Sequence, residues 1–341
     1  KTCCEIHLGI LSHHNMSVLF LRNLGRATRP VVSTALMVGK RISAPARVAR
    51  VFSTTAAPRA SSYEKDVTTM EGDKAPVNLY DGHYSDHMKE AQTKVRTFTY
   101  GAGEADLGQS SWMTVKELDS MMAKIGVTKS TNMLEVGSGA GGTSVYIAKK
   151  YGCTMKGVDL NPHGVETGTK LAKKDGVAGT CSFQVIDASK PLPFDANTFD
   201  AVFCNDSMCH IPGRTSVLED WKRVLKPGGK LIYTDAMVVS GTVSSDEFAT
   251  RSSVGKYYYP CLGQNEKYIK AAGLDLVEVV DTTPEASLVA KRWHDSRETY
   301  KSELKEPEDN FQGLQKFLYS VYFLLHEARL SRLMYVATKK Y

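Results

Sequence analysis

Short apolar runs alternate with amphipathic stretches along the chain, and the clearest alternation lies between residues 133 and 148. Residues 133–136 form an apolar run that ends at a glycine-rich segment, and residues 142–148 continue at helical spacing. This order predicts a strand, a tight loop and a helix. Gly137, Gly139 and Gly141 let the loop adopt backbone conformations closed to residues with a Cβ, and let it approach a ligand closely. The loop is therefore a candidate ligand site.

The same two periodicities predict the other elements. Apolar runs predict further strands over residues 153–160, 199–204, 230–235, 274–281 and 330–338, and one strand that closes at residues 185–188. Helical spacing predicts helices over residues 80–97, 113–125, 213–225, 244–253, 264–272 and 311–329, with a further amphipathic stretch at 286–304. We interpret residues 234–237, after the fifth strand, as a turn. Strands that alternate with helices predict an α/β domain.

Length and composition permit one full α/β domain with an extension. The chain has 341 residues, of which 42% are hydrophobic, and this is enough to bury a large core. No apolar run approaches the roughly 20 residues that cross a bilayer, so we expect no membrane partner. Seven cysteines are scattered without a Cys-x-x-Cys pair. No metal is predicted, because the adjacent Cys209 and His210 are better interpreted as packing than as a metal pair or a nucleophile.

The positive charge of the chain is concentrated near its beginning. The net charge is +6, but residues 1–62 hold nine Lys or Arg and one acid, which leaves 34 basic and 36 acidic residues beyond them. The remainder is therefore close to neutral, and we expect it not to bind nucleic acid through bulk charge.

The first 62 residues are predicted to be a disordered leader and an organelle transit segment. Residues 16–58 are rich in Arg, Ser, Thr and Ala and contain no acid, which is typical of transit peptides. Arg50, Val51 and Phe52 precede Ser53 in a pattern that resembles a mitochondrial processing site; a chloroplast address is the alternative. Residues 1–15 resemble translated leader sequence or a cloning remnant. Residues 63–78 are interpreted as a linker, and residues 79–341 as the folded domain.

Acidic residues follow the predicted strands in a regular series. Glu135 precedes the glycine loop, and Asp159 lies about 20 residues after it, where nucleotide-binding folds place the acid that binds ribose hydroxyls. Asp187 closes the third strand, and Asn205 and Asp206 follow the fourth. With the Leu-Lys-Pro-Gly-Gly segment at 225–229, this series resembles the class I S-adenosylmethionine (SAM)-dependent methyltransferases over residues 132–235, with a weaker extension to residue 340.

The resemblance implies a fold and a cofactor. The fold is Rossmann-like, with a seven-stranded, mostly parallel sheet whose last strand is antiparallel, plus helical cap insertions at about 238–262 and 286–329. The cofactor is SAM. The residues implied to bind it are Glu135, Gly137, Ser138, Gly139, Gly141, Asp159, Leu160, Asp187, Ala188 and Asn205.

A glycine-rich loop at residues 100–112 precedes the first strand. In small-molecule methyltransferases a segment of this kind folds over SAM, so the resemblance implies cofactor contacts for Tyr100, Gln109, Ser110 and Trp112. The alternative is a surface loop anchored by Trp112.

The acceptor site is expected between the loop after the fourth strand and the cap. The resemblance makes Asp206 and His210 the candidates for polar contact with the substrate. A methylated amine or thioether is a cation, which favours aromatic faces, and a carboxylate favours arginine. The cap residues that could supply these contacts are Arg251, Tyr257, Tyr258, Tyr259, Arg292 and Trp293.

The chain is similar to sarcosine and dimethylglycine N-methyltransferases, which implies a small carboxylate-bearing methyl acceptor. S-methylation of a thioether hydroxy acid, such as methylthiohydroxybutyrate on the route to dimethylsulfoniopropionate, is the alternative. The Pro-Pro-Tyr of base and amide methylases is replaced by residues 205–208, which argues against DNA or glutamine methylation. A non-catalytic organelle assembly factor would need a damaged cofactor site, and Glu135, Gly137, Gly139, Asp159 and Asp187 are all present.

Overall fold

A computed structural model describes residues 89–341; the predicted transit segment, the linker and the start of the helix predicted at residue 80 lie outside the described residues. The α-helices are α1 (Lys89–Tyr100), α2 (Val115–Ile125), α3 (Gly142–Tyr151), α4 (Pro162–Lys174), α5 (Arg214–Val224), α6 (Ser245–Arg251), α7 (Gln264–Ala271), α8 (Thr283–Thr299), α9 (Lys301–Leu304) and α10 (Glu308–His326). The strands are β1 (Asn132–Val136), β2 (Thr154–Asp159), β3 (Cys181–Val185), β4 (Phe199–Cys204), β5 (Leu225–Val239), β6 (Asp275–Asp281) and β7 (Leu330–Thr338).

The seven strands form one sheet in the order β3-β2-β1-β4-β5-β7-β6. Strands β1 to β5 pair in parallel, whereas β7 runs antiparallel to both β5 and β6. The predicted Rossmann-like class I methyltransferase fold, with its antiparallel last strand, is therefore confirmed. The carboxyl ends of β1, β2 and β4 meet at one edge of the sheet, which is where doubly wound sheets bind ligands.

Side-chain caps fix where several helices begin. The Thr114 hydroxyl accepts the N–H of Glu117 at the start of α2, and the Asn161 side chain accepts the N–H of His163 at the start of α4. A capping box is present at the start of α6, where the Ser244 hydroxyl accepts the Glu247 N–H and the Glu247 carboxylate accepts the Ser244 N–H. These bonds satisfy N–H groups that have no partner within the first turn.

Helices cover both faces of the sheet. On one face, the apolar side of α2 is buried in a cluster that includes residues of α3 and β5, as its helical spacing predicted, through Leu118, Met121 and Met122. On the other face, Trp221 of α5 is fully buried beside Tyr233 of β5. Each large apolar side chain buried in this way stabilises the fold by about 1.5 to 3 kcal/mol.

Strand β5 is longer than predicted, and the turn expected at residues 234–237 is wrong. The strand continues to Val239 because β7 pairs with it on both sides of an irregularity between Asp235 and Val238. Within that irregularity the Met237 N–H donates to the Asp235 carboxylate over 3.0 Å. Such irregularities redirect side chains, and here the buried Ala236 and Met237 line a cavity at the strand end.

The cap is built mainly from α6, α8 and α10. The amphipathic stretch predicted at 286–304 divides at Tyr300 into α8 and α9. Phe317 and Leu318 of α10 share an apolar cluster with Ala236 of β5 and with Trp112 of the loop at residues 100–112, which we call the N-terminal loop. The cap therefore packs against the carboxyl end of the sheet.

The described part of the chain contains no helix with the length and apolar character needed to cross a membrane. Over the same residues no three His, Cys, Asp or Glu side chains lie together as a metal-binding group. The described cysteines are free thiols: Cys153, Cys181, Cys204, Cys209 and Cys261.

Candidate active site

The glycine-rich loop between β1 and α3 has the left-handed backbone that its sequence predicted. Gly137, Gly139 and Gly141 have φ values of 75°, 51° and 80°. A Cβ on Gly141 would lie 2.6 Å from the Cα of Gly168, so this glycine is needed for packing between α3 and α4. A Cβ on Gly139 would meet nothing within 4 Å. The loop therefore faces open space at its centre, where a ligand can approach the backbone.

Asp159 ties the end of β2 to this loop. One carboxylate oxygen accepts the Gly139 N–H over 2.7 Å, and the other accepts the Asn161 N–H over 2.8 Å. Burial raises the pKa of Asp159, although these backbone bonds oppose the shift. A carboxylate has about four lone-pair positions, so Asp159 keeps acceptor capacity for a hydroxyl donor of a ligand. The neighbouring Leu160 is 60% exposed and offers an apolar surface beside it.

Glu135 and Ser138 lie inside the protein rather than on the open side of the loop. The Ser144 hydroxyl donates to the Glu135 carboxylate in a short buried contact. Burial raises the pKa of Glu135 to about 8. The Ser138 N–H donates to the Val158 carbonyl over 3.0 Å, which holds the loop against β2. Both residues therefore support the loop from the protein interior and do not face its open side.

The remaining predicted cofactor residues lie at the same sheet edge. The Ile186 N–H donates to the Asp159 carbonyl, so Asp187 follows β3 directly beside the end of β2. Asp187 is exposed, and Ala188 packs at the border of the core. Asn205 is engaged within the protein, because its side-chain oxygen accepts from Arg332 over 2.9 Å.

These observations fit a nucleoside cofactor such as SAM. The loop offers open backbone at Gly139, Asp159 keeps acceptor capacity for ribose hydroxyls, and Leu160 and Asp187 border the same space on the side of β3. Gly139, Asp159, Leu160 and Asp187 would therefore hold the cofactor.

The N-terminal loop lies across the start of α3. The Leu107 carbonyl oxygen packs so closely on Gly142 that a Cβ there would fall 1.6 Å from it. Gln109 is used within the loop, where it accepts the Leu107 N–H and donates to the Ala105 carbonyl. The Tyr100 hydroxyl donates to the Ser111 carbonyl over 2.7 Å, and burial raises its pKa. Tyr100 and Gln109 therefore hold the loop in shape.

A cavity opens between the N-terminal loop, the loop after β4 and the cap. Its empty space is about 570 Å³, open solvent at its mouth included. It is lined by Ser110, Trp112, Asp206, Cys209, His210, Ala236, Met237, Arg251, Val254, Tyr257, Trp293, Leu314, Phe317 and Leu318. The structure thus brings together Ser110 and Trp112, predicted as cofactor residues, with predicted acceptor residues.

Arg251 is a buried cation in this cavity. It is 2% exposed, and its guanidinium carbon lies 5.0 Å from the ring centroids of both Tyr257 and Phe317 and 5.9 Å from that of Trp112. Among residues 89–341 no carboxylate forms an ion pair with it, and its Nη1 has no hydrogen-bond partner there. A buried guanidinium without an anion is costly by several kcal/mol, so this site favours an anionic ligand.

His210 lines the same cavity with a defined tautomer. Its Nδ1 lies 2.9 Å from the Lys256 carbonyl oxygen. Since a carbonyl only accepts, Nδ1 carries the hydrogen and Nε2 of the neutral ring is an acceptor. Burial lowers the pKa of His210. The ring is therefore a neutral base near neutral pH.

Asp206 is held by the protein on both carboxylate oxygens. Oδ1 accepts from Arg332 Nε over 2.7 Å, and Oδ2 accepts the Trp112 N–H over 3.0 Å. Its backbone has φ 52°, a left-handed conformation that is uncommon for a residue with a side chain. Asp206 is therefore placed to fix the cavity wall as well as to line it.

Three predicted acceptor residues have other partners. The Tyr258 N–H donates to the Cys209 carbonyl, the Tyr259 hydroxyl bonds the Ser252 hydroxyl over 2.8 Å, and Arg292 Nε donates to the Thr99 carbonyl over 2.8 Å. None of the three side chains borders the cavity as the described residues define it. Trp293 does, with its ring 5.7 Å from that of Trp112.

Several cavity residues were not predicted. Leu314, Phe317 and Leu318 lie on one face of α10, at a spacing that also describes an ordinary core helix. Met237 lies in the irregular part of β5 and lines the cavity. For both groups the sequence signal is the same as for core packing, so it does not identify a cavity wall.

Comparison with known proteins agrees with this geometry. Residues 134–233 match the family model of a methyltransferase domain. The sarcosine/dimethylglycine N-methyltransferase of Halorhodospira halochloris is 34% identical over 139 residues, 40% of this chain and 48% of that enzyme. The cycloartenol-C-24-methyltransferase 1 of Oryza sativa subsp. japonica is 33% identical over 154 residues, 43% of this chain and 44% of that enzyme.

A solved structure extends the similarity over the fold. Phosphoethanolamine N-methyltransferase 2 of Haemonchus contortus, in complex with S-adenosyl-L-methionine, aligns with a TM-score of 0.64 at 25% identity, over 72% of this chain and 56% of that one. The chain spans about half the length of each of these three proteins.

Proposed function

Because residues 134–233 form a class I, SAM-dependent methyltransferase domain, we propose that the chain methylates the amine of a small acceptor that also carries a carboxylate. Glycine, sarcosine and dimethylglycine are the acceptor type that we favour. The observation that carries this proposal is the presence of two groups in one cavity. One is the buried guanidinium of Arg251, with which no carboxylate of the described residues forms an ion pair, and the other is Nε2 of His210, which can accept a proton.

Arg251 would bind the acceptor carboxylate. Its burial against Tyr257 and Phe317 leaves the charge without a protein counter-ion among the described residues. A carboxylate would satisfy the guanidinium through charge-assisted hydrogen bonds, which are stronger than neutral ones. An acceptor amide would form weaker bonds at the same place, so Arg251 would select acids over their amides.

His210 would accept the proton of the acceptor amine. The amine of a free amino acid is protonated at pH 7, because its pKa lies above the value of about 7.7 to 8.0 for a peptide amino terminus, and a protonated amine has no lone pair to react. Nε2 of His210 is an acceptor while Nδ1 donates to the Lys256 carbonyl, so the ring can take a proton without turning.

The rest of the chemistry needs exclusion of water and alignment. When bound, SAM supplies a methyl group on a sulfonium that is already activated for transfer. Trp112, Trp293 and Phe317 form apolar walls that keep water out and bring aromatic faces close to a cationic product. No nucleophilic side chain is required, and Cys209 beside the cavity is kept protonated because burial raises its thiol pKa.

The relatives support a small acceptor and differ in its chemistry. One is named for sarcosine and dimethylglycine, one for phosphoethanolamine and one for a sterol carbon. Two of the three act on molecules that combine an amine with an anionic group, which is the combination that Arg251 and His210 would recognise.

S-methylation of a thioether hydroxy acid is the second candidate. The apolar walls formed by Met237, Leu314 and Leu318 suit a thioether chain, and Arg251 would bind its carboxylate equally well. His210 would then accept the hydrogen bond of the hydroxyl group rather than a proton.

The pH dependence of transfer separates the two candidates. Methyl transfer to sarcosine and to methylthiohydroxybutyrate is measured with the purified chain from pH 5.5 to 9.5. We expect transfer to sarcosine to increase with pH as the amine loses its proton, whereas transfer to sulfur would be flat above the pKa of His210. Faster transfer to the thioether acid at every pH would contradict N-methylation.

A non-catalytic role is tested by cofactor binding. Calorimetric titration with SAM is expected to give a dissociation constant of about 1 to 100 μM, in the range of ordinary enzyme substrates. A chain that binds SAM and methylates none of these acids, or any peptide or oligonucleotide offered, would favour an assembly role.

We also propose that residues 1–62 direct the chain to an organelle, by preference the mitochondrion. Their positive charge and near absence of acids support this. A fluorescent fusion of residues 1–62 should enter mitochondria, and the same fusion with its arginines changed to glutamine should stay outside. Accumulation in a plastid would favour the chloroplast alternative.

A further inference from the structure

A second buried arginine, Arg332 of β7, lies beside the site without lining its cavity. Its side chain is fully buried, and Nη1, Nη2 and Nε all donate. Nε bonds Asp206, Nη2 bonds Asn205 over 2.9 Å, and Nη1 bonds both Glu117 over 2.5 Å and Thr282 over 2.8 Å. One guanidinium therefore joins the loop after β4 to the helix that follows the N-terminal loop.

The Asp206 end of this network holds the cavity wall. The Trp112 N–H donates to Asp206 Oδ2, while Oδ1 of the same carboxylate is bound by Arg332 and by the Thr234 hydroxyl. Since Asp206 has a left-handed backbone, contacts such as these are needed to keep it in place. The Trp112 ring in turn packs on Trp293 and Phe317 of the cap.

The Glu117 end of the network holds the other side of the same segment. Glu117 lies in the first turn of α2, and its N–H is capped by Thr114. Residues 110–114 therefore lie between two carboxylates, those of Asp206 and Glu117, that Arg332 binds together. The earlier part of the N-terminal loop does not depend on Arg332, because Gln109 bonds Leu107 and Ala105 locally.

We propose that Arg332 is a positioning residue for acceptor recognition, acting on residues 110–114 through Asp206 and Glu117. This rests on the proposed methyltransferase function. Arg332 sets the position of Trp112, and so the shape of the acceptor cavity, while the glycine loop and Asp159 are held by backbone bonds of their own. Loss of the hydrogen bonds that its three nitrogens donate should therefore weaken binding of the methyl acceptor more than binding of the cofactor.

The test exchanges Arg332 for lysine. Lysine keeps the charge between the two carboxylates, but its single ammonium cannot bond Asp206, Asn205 and Glu117 together. The matched control is Arg297→Lys. Arg297 is also buried and paired with a carboxylate, that of Glu306, but it contacts neither the N-terminal loop nor the loop after β4.

The first readout is hydrogen exchange of the full-length chain without substrate. Peptides that cover residues 110–114 should exchange about tenfold faster in Arg332→Lys and as wild type in Arg297→Lys. If Arg332→Lys does not fold, Asp206→Asn tests the same link, since an amide cannot accept from both Arg332 and Trp112 as the carboxylate does. Unchanged exchange in this segment would overturn the proposal.

The second readout is kinetic, with sarcosine as the acceptor. Arg332→Lys should raise the KM for sarcosine about fivefold or more, with the calorimetric dissociation constant of SAM within about twofold of wild type. Equal losses for both ligands would indicate a general structural role and overturn the proposal. Exchange does not depend on turnover, so a wild-type chain that methylates no acid contradicts the proposed function alone.

Discussion

The imidazole of His210 lies against the phenol ring of Tyr257, with the two ring centroids 4.4 Å apart. This contact joins the loop after β4 to the cap, and both side chains line the acceptor cavity. Tyr257 also lies under the guanidinium of Arg251. One tyrosine therefore contacts both the proposed base and the proposed carboxylate site.

Removing the base should change the pH profile of the reaction. Burial lowers the pKa of His210, so the ring becomes a cation, and loses its acceptor at Nε2, only below about 6.5, the ordinary value. We expect kcat/KM for sarcosine to fall as pH drops through this lowered value. His210→Gln should lower kcat/KM by about 10² to 10⁴ and remove that acidic limb, leaving only the rise at higher pH where the amine itself loses its proton. A variant that keeps the limb would show that another group titrates.

Replacing Tyr257 with leucine should lower kcat/KM for acceptors that carry a carboxylate. Tyr257→Leu keeps apolar packing but removes the aromatic face beneath Arg251, so we expect a loss of about 0.5 to 2 kcal/mol in kcat/KM for sarcosine. The loss should be smaller for sarcosinamide. Tyr258→Leu is the matched control, since Tyr258 does not border the cavity, and an equal effect in both variants would contradict this role.

The positive charge at residue 251 should determine the preference of the enzyme for carboxylate acceptors over their amides. Arg251→Met should lower kcat/KM for sarcosine by about 1.5 to 3 kcal/mol, the range for hydrogen bonds to charged groups, and change the value for sarcosinamide much less. Arg292→Met is the control, because Arg292 bonds the Thr99 carbonyl instead. Equal loss for acid and amide would remove the carboxylate assignment.

Loss of the Asp159 carboxylate should weaken binding of SAM. Asp159→Ala removes the acceptors proposed for the ribose hydroxyls and the bond from the Gly139 N–H, so SAM binding should weaken by roughly 1.5 to 3 kcal/mol per charged bond lost. Calorimetry measures the change, with the exposed Asp195→Ala as control. Unchanged affinity in a folded Asp159→Ala protein would remove the assignment.

Glu135 should make stability depend on pH. Its folded pKa is about 8, raised by burial above the ordinary 4.5, so its contribution is full below pH 4.5 and is lost as pH rises toward 8. Glu135→Gln resembles the protonated form and should not lose this contribution. The unfolding free energy of the variant, relative to wild type, should therefore rise by up to about 1.4 kcal/mol per pH unit across that window. Urea titrations at pH 5, 7 and 8.5 measure it, and a constant difference would show that Glu135 does not titrate there.

The fold and the cofactor side of the site follow from local sequence. The glycines, Glu135 and Asp159 lie within one strand-loop-helix-strand unit, so their spacing alone places them at one edge of the sheet. The same reasoning fails for the fifth strand. The local pattern predicts a turn at residues 234–237, but they continue as strand because β5 pairs there with β7, which lies about a hundred residues later in the chain.

The acceptor side depends on contacts that local patterns do not contain. Arg332 binds Asp206 from 126 positions away. The signal present in the sequence is one charged residue inside the apolar run of β7, which indicates a buried, paired charge but does not name its partner. In the same way, composition does not tell Tyr257 from Tyr258 and Tyr259.

The cavity and the cofactor loop are drawn from separate stretches of the chain. Cavity residues lie at 110–112, 206–257 and 293–318, whereas the glycine loop and the acids after β2 and β3 lie at 135–187. A lineage could therefore inherit the middle stretch unchanged and acquire a new acceptor by altering the flanks. In the laboratory, chimaeras that exchange residues 132–204 between relatives should keep the acceptor preference of the parent that supplies the flanks.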